Sequence, residues 1–400
     1  MRKKAKKKIG KPNPIIFNLA YAVVKPIFDR KYKISYDNDI VKEIKGPAIV
    51  VATHTSDMDH ILSGLTLYPI RPTYVVSEHF IHNPSTAWLV KMMHVITKKM
   101  FTPDLSTVIN IMRAKKEGAV LVLFAEGRLS CYGHTLPLAE GTAELIKKLG
   151  IPLYAWRADG AYLTFPKWRD KGDDRIGKIR TSLRQLLTAD EVASKSVDEI
   201  REITAEAICH DDELAMPGVE YKCPDVARGV DRILYKCPKC LEEDKITSGG
   251  GHVRCACGLD ATLDSSYRLH GAPFERINEW FDWQQASIDT ERESLATKVR
   301  LGGCKKNGFM DSTAGEGEAY LDKDIFRLTG VVHGEKVEIS VNPEQIGAFP
   351  ATPADHFDIY FGGNLIYVYP ENPRDTIKWV CYLDNLMAKK RAAASSSVAD

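Results

Sequence analysis

Two short stretches of this chain assemble side chains suited to taking a proton from a bound hydroxyl. Thr53-His54-Thr55-Ser56-Asp57-Met58-Asp59 sets a histidine five residues ahead of a carboxylate. Phe124-Ala125-Glu126-Gly127-Arg128-Leu129-Ser130 puts a carboxylate, a glycine and an arginine behind an apolar run, with Glu126 lying 72 residues after His54. Making an ester from a thioester needs a deprotonated hydroxyl, a carbonyl held nearby and stabilisation of the tetrahedral oxyanion. Histidine supplies the base because its pKa lies near operating pH. A neighbouring carboxylate fixes its tautomer and stabilises the imidazolium. His54 and Asp59 can do this if His54 ends a strand and Asp59 lies on the first turn of the next helix. No Ser or Cys has the setting of a nucleophile, so no covalent intermediate is expected. Structural readings stand beside these. Ser56-x-x-Asp59 is a capping-box pattern that places an acid at the positive end of a helix, and Glu126-Gly127 is ordinary turn chemistry.

A second constellation is metal-like. Cys237-Pro238-Lys239-Cys240 and Cys255-Ala256-Cys257-Gly258 are separated by fourteen residues that include Gly249-Gly250-Gly251. Two close thiol pairs on neighbouring turns suit tetrahedral zinc. The arrangement resembles a zinc ribbon with one residue, rather than two, inside the second pair. His252 and Cys223 are possible substitute ligands. Four filled protein positions make the expected Zn²⁺ structural rather than catalytic. Nine cysteines without a secretory signal point to a reducing compartment, where such clusters bind metal more often than they form disulfides.

The elements that must position these residues alternate. Pro47–Ala52, Ala119–Phe124 and Pro152–Trp156 read as buried strands. Met58–Leu67, Thr86–Val95, Leu105–Lys116 and Ala139–Leu149 read as helices. This alternation favours an α/β layer with a mostly parallel sheet over residues 31–222, of which 163–222 form a helical extension with a polar helix near Val197–Cys209. Each motif then sits just past the C-terminal end of a strand, where open α/β sheets place ligands. The small zinc module spans 223–270, and a helical connector and linker spans 271–315. Short strands at Ala319–Leu321, Ile325–Leu328, Lys336–Ser340, Phe357–Phe361 and Leu365–Tyr369, followed by an amphipathic helix Thr376–Ala388, make 316–390 resemble a PH-like or GRAM-like β-module. The tail from Lys389, and 391–400 above all, has a disordered composition.

Composition is that of a globular protein of two or three domains, 44% apolar and 27% charged. The formal net charge of +2 argues against a wholesale nucleic-acid binder. Acidic residues beside the ribbon's lysines argue the same way. Charge is uneven: residues 1–11 hold seven Lys or Arg, and no acid precedes Asp29. The apolar stretch Pro14–Val24 is too short to span a bilayer, which takes about 20 apolar residues. It lacks a signal-peptide cleavage site. Residues 1–30 are therefore expected to attach peripherally or monotopically to the cytoplasmic face of an anionic membrane. A basic arm followed by a packed first helix is the plainer alternative.

Residues 31–168 resemble a phospholipid/glycerol acyltransferase domain, in the group that acylates lysophosphatidate and other lysophospholipids. In motif I, Thr53 stands where the family usually has asparagine, followed by His54, Ser56 and Asp59. Motif III commonly reads FPEGTRS; here Ala125 replaces the proline and Arg128-Leu129 replaces Thr-Arg. This is similar to the FPEGR form of lysophosphoethanolamine acyltransferases, including the trailing Gly133. Pro137 and Gly141 match the following Pro and Gly, and Ile151-Pro152-Leu153 with Gly160 matches motif IV. Motif II departs: the family has Phe-Ile-x-Arg where this chain reads Val95-Ile96-Thr97-Lys98-Lys99-Met100. The resemblance implies His54 as general base and Asp59 as its partner. It implies that Glu126, Gly127, Arg128 and Ser130 bind the glycerophosphate head, Arg128 pairing the phosphate, with Lys98 or Lys99 replacing the motif II arginine as a point charge. The donor would be acyl-CoA or acyl carrier protein and the acceptor a lysophospholipid. A different class of function is a catalytically degenerate membrane scaffold acting through its ribbon and β-module.

Overall fold

The computed structural model describes residues 10–100 and 104–396. Most of the basic stretch 1–11 therefore lies outside the described residues. Two units emerge: 1–165 with 176–216, and 166–175 with 217–400. The strap 166–175, which leaves the first unit and returns to it, thus belongs to the second.

In the first unit the elements run α1 (Pro14–Tyr32), β1 (Ile34–Asp37), β2 (Ala48–Ala52), α2 (Asp59–Leu67), β3 (Thr73–Ser77), α3 (His79–His82), α4 (Pro84–Met92), β4 (Ile96–Lys98), α5 (Leu105–Lys116), β5 (Val120–Phe124), α6 (Thr142–Leu149), β6 (Leu153–Asp159), α7 (Ala161–Thr164), β7 (Ile179–Leu187), α8 (Ala189–Ser194), α9 (Val197–Ile208) and α10 (Asp212–Ala215). Seven strands form one sheet in the order β1-β7-β6-β2-β5-β3-β4. From β6 to β4 all neighbours are parallel, with Ala52 level with both Phe124 and Trp156. β7 runs antiparallel to β6 and parallel to β1. The expected α/β core with a mostly parallel sheet is therefore present.

Its centre is apolar on both faces, as parallel strands covered on two sides must be. Ile49, Val51, Leu121 and Leu123 pack on one face with Ile111, Ile146 and Ile200, whereas Val50, Ala52, Val122 and Trp156 pack on the other with Leu62 and Leu67. One correction concerns 163–222, which holds a nine-residue strand as well as helices. Ile179–Leu187 carries arginines on its exposed positions, and that charge masks the strand alternation. α1 also outruns the expected Pro14–Val24. Asn13 caps its start, and Pro26 lies inside it without ending it.

The second unit begins with the strap, where Trp168 is fully buried and the Arg175 guanidinium stacks 4.6 Å from its ring. A four-stranded antiparallel sheet follows, made of β8 (Ile246–Gly249), β9 (His252–Cys255), β10 (Asp260–Leu263) and β11 (Leu269–His270). Asp225 accepts the amide N–H groups of Gly250 and Gly251 and so fixes the glycine turn between β8 and β9. After α11 (Ile277–Ala286) come β12 (Leu295–Cys304), β13 (Met310–Leu321), β14 (Phe326–Val332), β15 (Glu335–Val341), β16 (Ala351–Thr352), β17 (His356–Phe361), β18 (Asn364–Pro370) and α12 (Asp375–Ser396). These seven strands are antiparallel in the order β15-β14-β13-β12-β18-β17-β16. The sheet starts at Leu295, inside the stretch expected as connector and linker, and α12 runs beyond Lys389, where a disordered tail was expected.

Candidate functional site

β2 ends at Ala52, and the chain turns through Thr53–Met58 into α2, whose first residue is Asp59. This turn places the His54 Nδ1 atom 3.0 Å from Asp59 Oδ2. The same Oδ2 accepts the Ser56 amide N–H at 2.9 Å, while Ser56 Oγ accepts the Met58 N–H. One Asp59 oxygen thus serves both the imidazole and the Ser56 amide, but the expected capping box does not form: the cap position of α2 is Met58, with no side-chain capping hydrogen bond. The Asp59 side chain is 1% exposed and that of His54 22%. Burial pushes the Asp59 carboxyl up, and the contacts with His54 and Ser56 pull it down. The Phe124 ring, from the end of β5, stacks 4.2 Å from the imidazole. With Nδ1 committed to Asp59, Nε2 is left as the nitrogen for a substrate proton.

Glu126 sits differently from the place its motif implied. Its carboxylate is turned inward: Oε1 accepts the His54 amide N–H and Oε2 accepts the Leu136 amide N–H, each at 2.8 Å. It is buried, and burial raises its carboxyl to about 8 against those two hydrogen bonds. Glu126 is thus a clamp between the histidine's backbone and the loop beyond the glycine, with both oxygens occupied. Ser130 is also turned away from solvent. Its N–H donates to the His54 carbonyl at 2.8 Å and its side chain is fully buried. Gly127 takes the left-handed conformation, φ 76°, that lets the chain reverse here. Arg128 is half-buried beside it and exerts a charge on Glu126. Gly133 has φ 89°, and a Cβ there would lie 2.6 Å from the Tyr162 ring.

Lys98 ends β4, on the same C-terminal edge of the sheet as His54. Two strands, β5 and β3, separate β2 from β4. At about 4.8 Å per strand that sets Lys98 roughly 14 Å along the rim from the histidine. Burial pushes its ammonium pKa down.

Residues that carried no local signal complete the site. The segment 208–212 closes on the loop after Glu126: Thr135 Oγ1 donates to the Ile208 carbonyl, Thr135 N–H to the His210 carbonyl, and Asp212 N–H to the Gly133 carbonyl. The buried Asp212 carboxylate accepts the N–H groups of Gly160, Tyr162 and Leu163 and lies 3.1 Å from His210 Nε2. It ties the turn after β6 to the loop after β5, and its charge adds to the upward push on Asp59. His210 and Asp212 follow Thr135 by some 75 residues, a separation no spacing rule covers.

In the second unit, Cys237, Cys240, Cys255 and Cys257 bring their four sulfurs within 4.8 Å of one another. Cys237–Cys257 and Cys240–Cys255 are 3.7 and 3.8 Å apart. Zinc–thiolate bonds of ~2.3 Å in a tetrahedron require sulfurs about 3.8 Å apart, so the donor set fits the ion. The substitute ligands drop out: His252 Nδ1 contacts Asp260 at 2.6 Å, and neither it nor Cys223 joins the cluster.

Residues 32–157 match the family model described as Acyltransferase. They form an acyltransferase-family domain. The matched stretch runs from β1 into β6 and contains His54, Asp59, Glu126 and Arg128, while β7, His210 and Asp212 lie beyond it. Among solved structures, the chain is similar to the 1-acyl-sn-glycerophosphate (LPA) acyltransferase PlsC from Thermotoga maritima. The identity is 19% and the TM-score 0.41, over 48% of this chain and 76% of that one.

Proposed function

We propose that the acyltransferase domain moves a fatty acyl group from a thioester, acyl-CoA or acyl carrier protein, to the free hydroxyl of lysophosphatidate or another lysophospholipid. The observation that carries this reading is the 3.0 Å contact of His54 Nδ1 with a buried Asp59 at the C-terminal rim of the sheet. His54 Nε2 takes the hydroxyl proton as the oxygen attacks the thioester carbonyl carbon. The tetrahedral adduct collapses with cleavage of the C–S bond, and the imidazolium returns the proton to the departing thiolate. Asp59 holds the tautomer throughout. An intact dyad supports this enzyme over a degenerate scaffold.

Arg128 and Lys98 are the cations assigned to the acceptor's phosphate. Glu126, Gly127 and Ser130 are assigned to shaping the loop that presents Arg128. The four cysteines would hold a structural Zn²⁺ that ties the two thiol turns together, and the seven-stranded sheet with α12 serves as a PH-like module. Peripheral attachment to the cytoplasmic face of a membrane is supported by α1, where Ile15, Leu19, Val23 and Ile27 form an exposed apolar row at four-residue spacing. No described helix is long and apolar enough to cross a bilayer.

His54→Ala is expected to cut transfer by about 10²–10⁴ while leaving the fold intact. The measurement is acyl transfer from both donors to a panel of lysophospholipids, followed by lipid mass spectrometry. Transfer by this variant at the wild-type rate would remove the mechanism.

A further inference from the structure

Tyr74, on β3, is sealed inside the first unit at 5% exposure, too deep to be a substrate contact. It stands level with Val122 of β5, and Val122 with Val50 of β2, so the three share one row across the sheet. That row lies two residues below the one that ends in Ala52 and Phe124, on the face that α2 covers. A phenylalanine would fill the same space among these apolar neighbours. The hydroxyl needs its own explanation, because a buried phenol without partners is costly. Its partners all belong to α2. Tyr74 Oη lies 2.9 Å from Ser63 Oγ and 2.9 Å from the His60 carbonyl oxygen, and Ser63 Oγ lies 2.7 Å from the Asp59 carbonyl oxygen. Two hydroxyl protons serve these three contacts, and every arrangement ends at least one of them on the carbonyl of Asp59 or His60. Gly64 leaves room for this group, since a Cβ there would lie 3.3 Å from the Tyr74 hydroxyl. Glycine weakens a helix interior, and the close approach of this hydroxyl gives the residue a reason to be there.

The ring acts on the other half of the dyad. The Tyr74 and Phe124 rings are stacked with centroids 6.5 Å apart and planes 18° apart, and Phe124 stacks on the His54 imidazole at 4.2 Å and 22°. Three near-parallel rings thus run in series from the core to the base, an arrangement that offset stacking favours. Tyr74 therefore reaches Asp59 through the helix turn and His54 through Phe124. The two branches close at the 3.0 Å contact between His54 Nδ1 and Asp59 Oδ2. Proton transfer is sensitive to such placement: a displacement of ~1 Å in a reacting group can cost about 10²-fold in rate.

We propose that Tyr74 is a positioning residue for the dyad, its hydroxyl fixing the first turn of α2 behind Asp59 and its ring, through Phe124, fixing the plane of the His54 imidazole. That the imidazole so held is the base of acyl transfer rests on the function proposed above; the hold itself does not.

The test compares Tyr74→Phe, Ser63→Ala and the double variant in the full chain, with Thr66→Val as the control. Thr66 lies on the same helix, is fully buried and accepts the Trp156 indole N–H at 3.1 Å, so its loss removes a buried hydrogen bond of α2 that does not lead to the dyad. Measured are the unfolding midpoint, kcat and KM for the thioester and the lysophospholipid, and the imidazole nitrogen chemical shifts of His54. Those shifts are assigned by their absence from His54→Ala and report how much of the neutral ring carries its proton on Nδ1. Tyr74→Phe and Ser63→Ala are each expected to lower kcat roughly tenfold with both KM values within about twofold of wild type, and to move the His54 shifts toward those of a free imidazole. The double variant should fall no further than the lower single one, because both substitutions remove one linkage. Ser63→Ala carries the comparison alone if Tyr74→Phe does not fold. Thr66→Val should keep the wild-type kcat and shifts at a comparable loss of unfolding midpoint. Equal falls of kcat in Thr66→Val and Tyr74→Phe, losses that multiply in the double variant, or wild-type His54 shifts in both single variants each overturn the proposal. A wild-type chain whose transfer does not depend on His54 overturns the proposed reaction instead, and the shifts alone then decide the hold of Tyr74 on the imidazole.

Discussion

Replacing Glu126 with Gln separates two roles for this carboxylate. As a headgroup ligand it would face the acceptor, and its loss would weaken acceptor binding. As a clamp it offers two acceptor oxygens to two backbone donors, His54 N–H and Leu136 N–H, each at 2.8 Å. Set against the ionised carboxylate, the form that prevails above about pH 8, glutamine keeps the shape but has one acceptor, so above that pH its NH₂ group must confront one of those N–H groups. Leaving a buried donor unsatisfied costs about 1–3 kcal/mol, equivalent to roughly 5- to 150-fold in rate if all of it falls on the transition state. The expected result is a fall in kcat within that range with little change in acceptor KM, because the substitution shifts the backbone of the base rather than a substrate contact. A pH signature accompanies it. Burial raises the Glu126 carboxyl from its ordinary 4.5 to about 8. The folded protein therefore holds a proton that the unfolded chain releases, and that contribution is full below about 4.5 and is lost as pH rises to about 8. Wild type should lose stability across this window relative to Glu126→Gln, which cannot ionise there. Denaturant midpoints at several pH values and steady-state kinetics on both proteins measure these effects. A variant with wild-type kcat and a strongly raised acceptor KM would refute the clamp and restore the headgroup role.

Two further outcomes follow from the same geometry. Asp212→Asn puts an amide donor against one of the backbone N–H groups of Gly160, Tyr162 and Leu163; a destabilisation of about 1–3 kcal/mol is expected, read by denaturant unfolding, together with a reduced kcat. Purified protein should contain one zinc per chain by elemental analysis, and Cys240→Ser should lose it; zinc-free wild type would end the metal assignment.

Much of the site was legible in the sequence because its determinants are local. A histidine at a strand end and an acid on the first turn of the following helix are five residues apart, and strand-to-helix geometry alone brings them into contact. The two thiol pairs were legible for the same reason, since each pair lies within one turn. Buried parallel strands also declare themselves as unbroken apolar runs, as in Val120–Phe124. β7 and β12 were harder. Arginines punctuate the first, and the second carries Gly302-Gly303 just before its last residue, so each looked like something other than a strand.

By itself, then, the sequence determined which residue types could meet within a turn: the His54–Asp59 dyad, the glycine-bearing reversal at Gly127, the cysteine knuckles and the strands of the sheet's interior. Tertiary structure alone decided where Glu126 points, that Ser130 is sealed inside, and that His210 and Asp212 close on Gly133, Thr135 and the turn after β6. Those outcomes depend on which strands become neighbours and which loops their ends bring together. Contacts between residues some 50 to 75 apart in the chain are set by the packing of the sheet and leave no periodicity in the residues that make them.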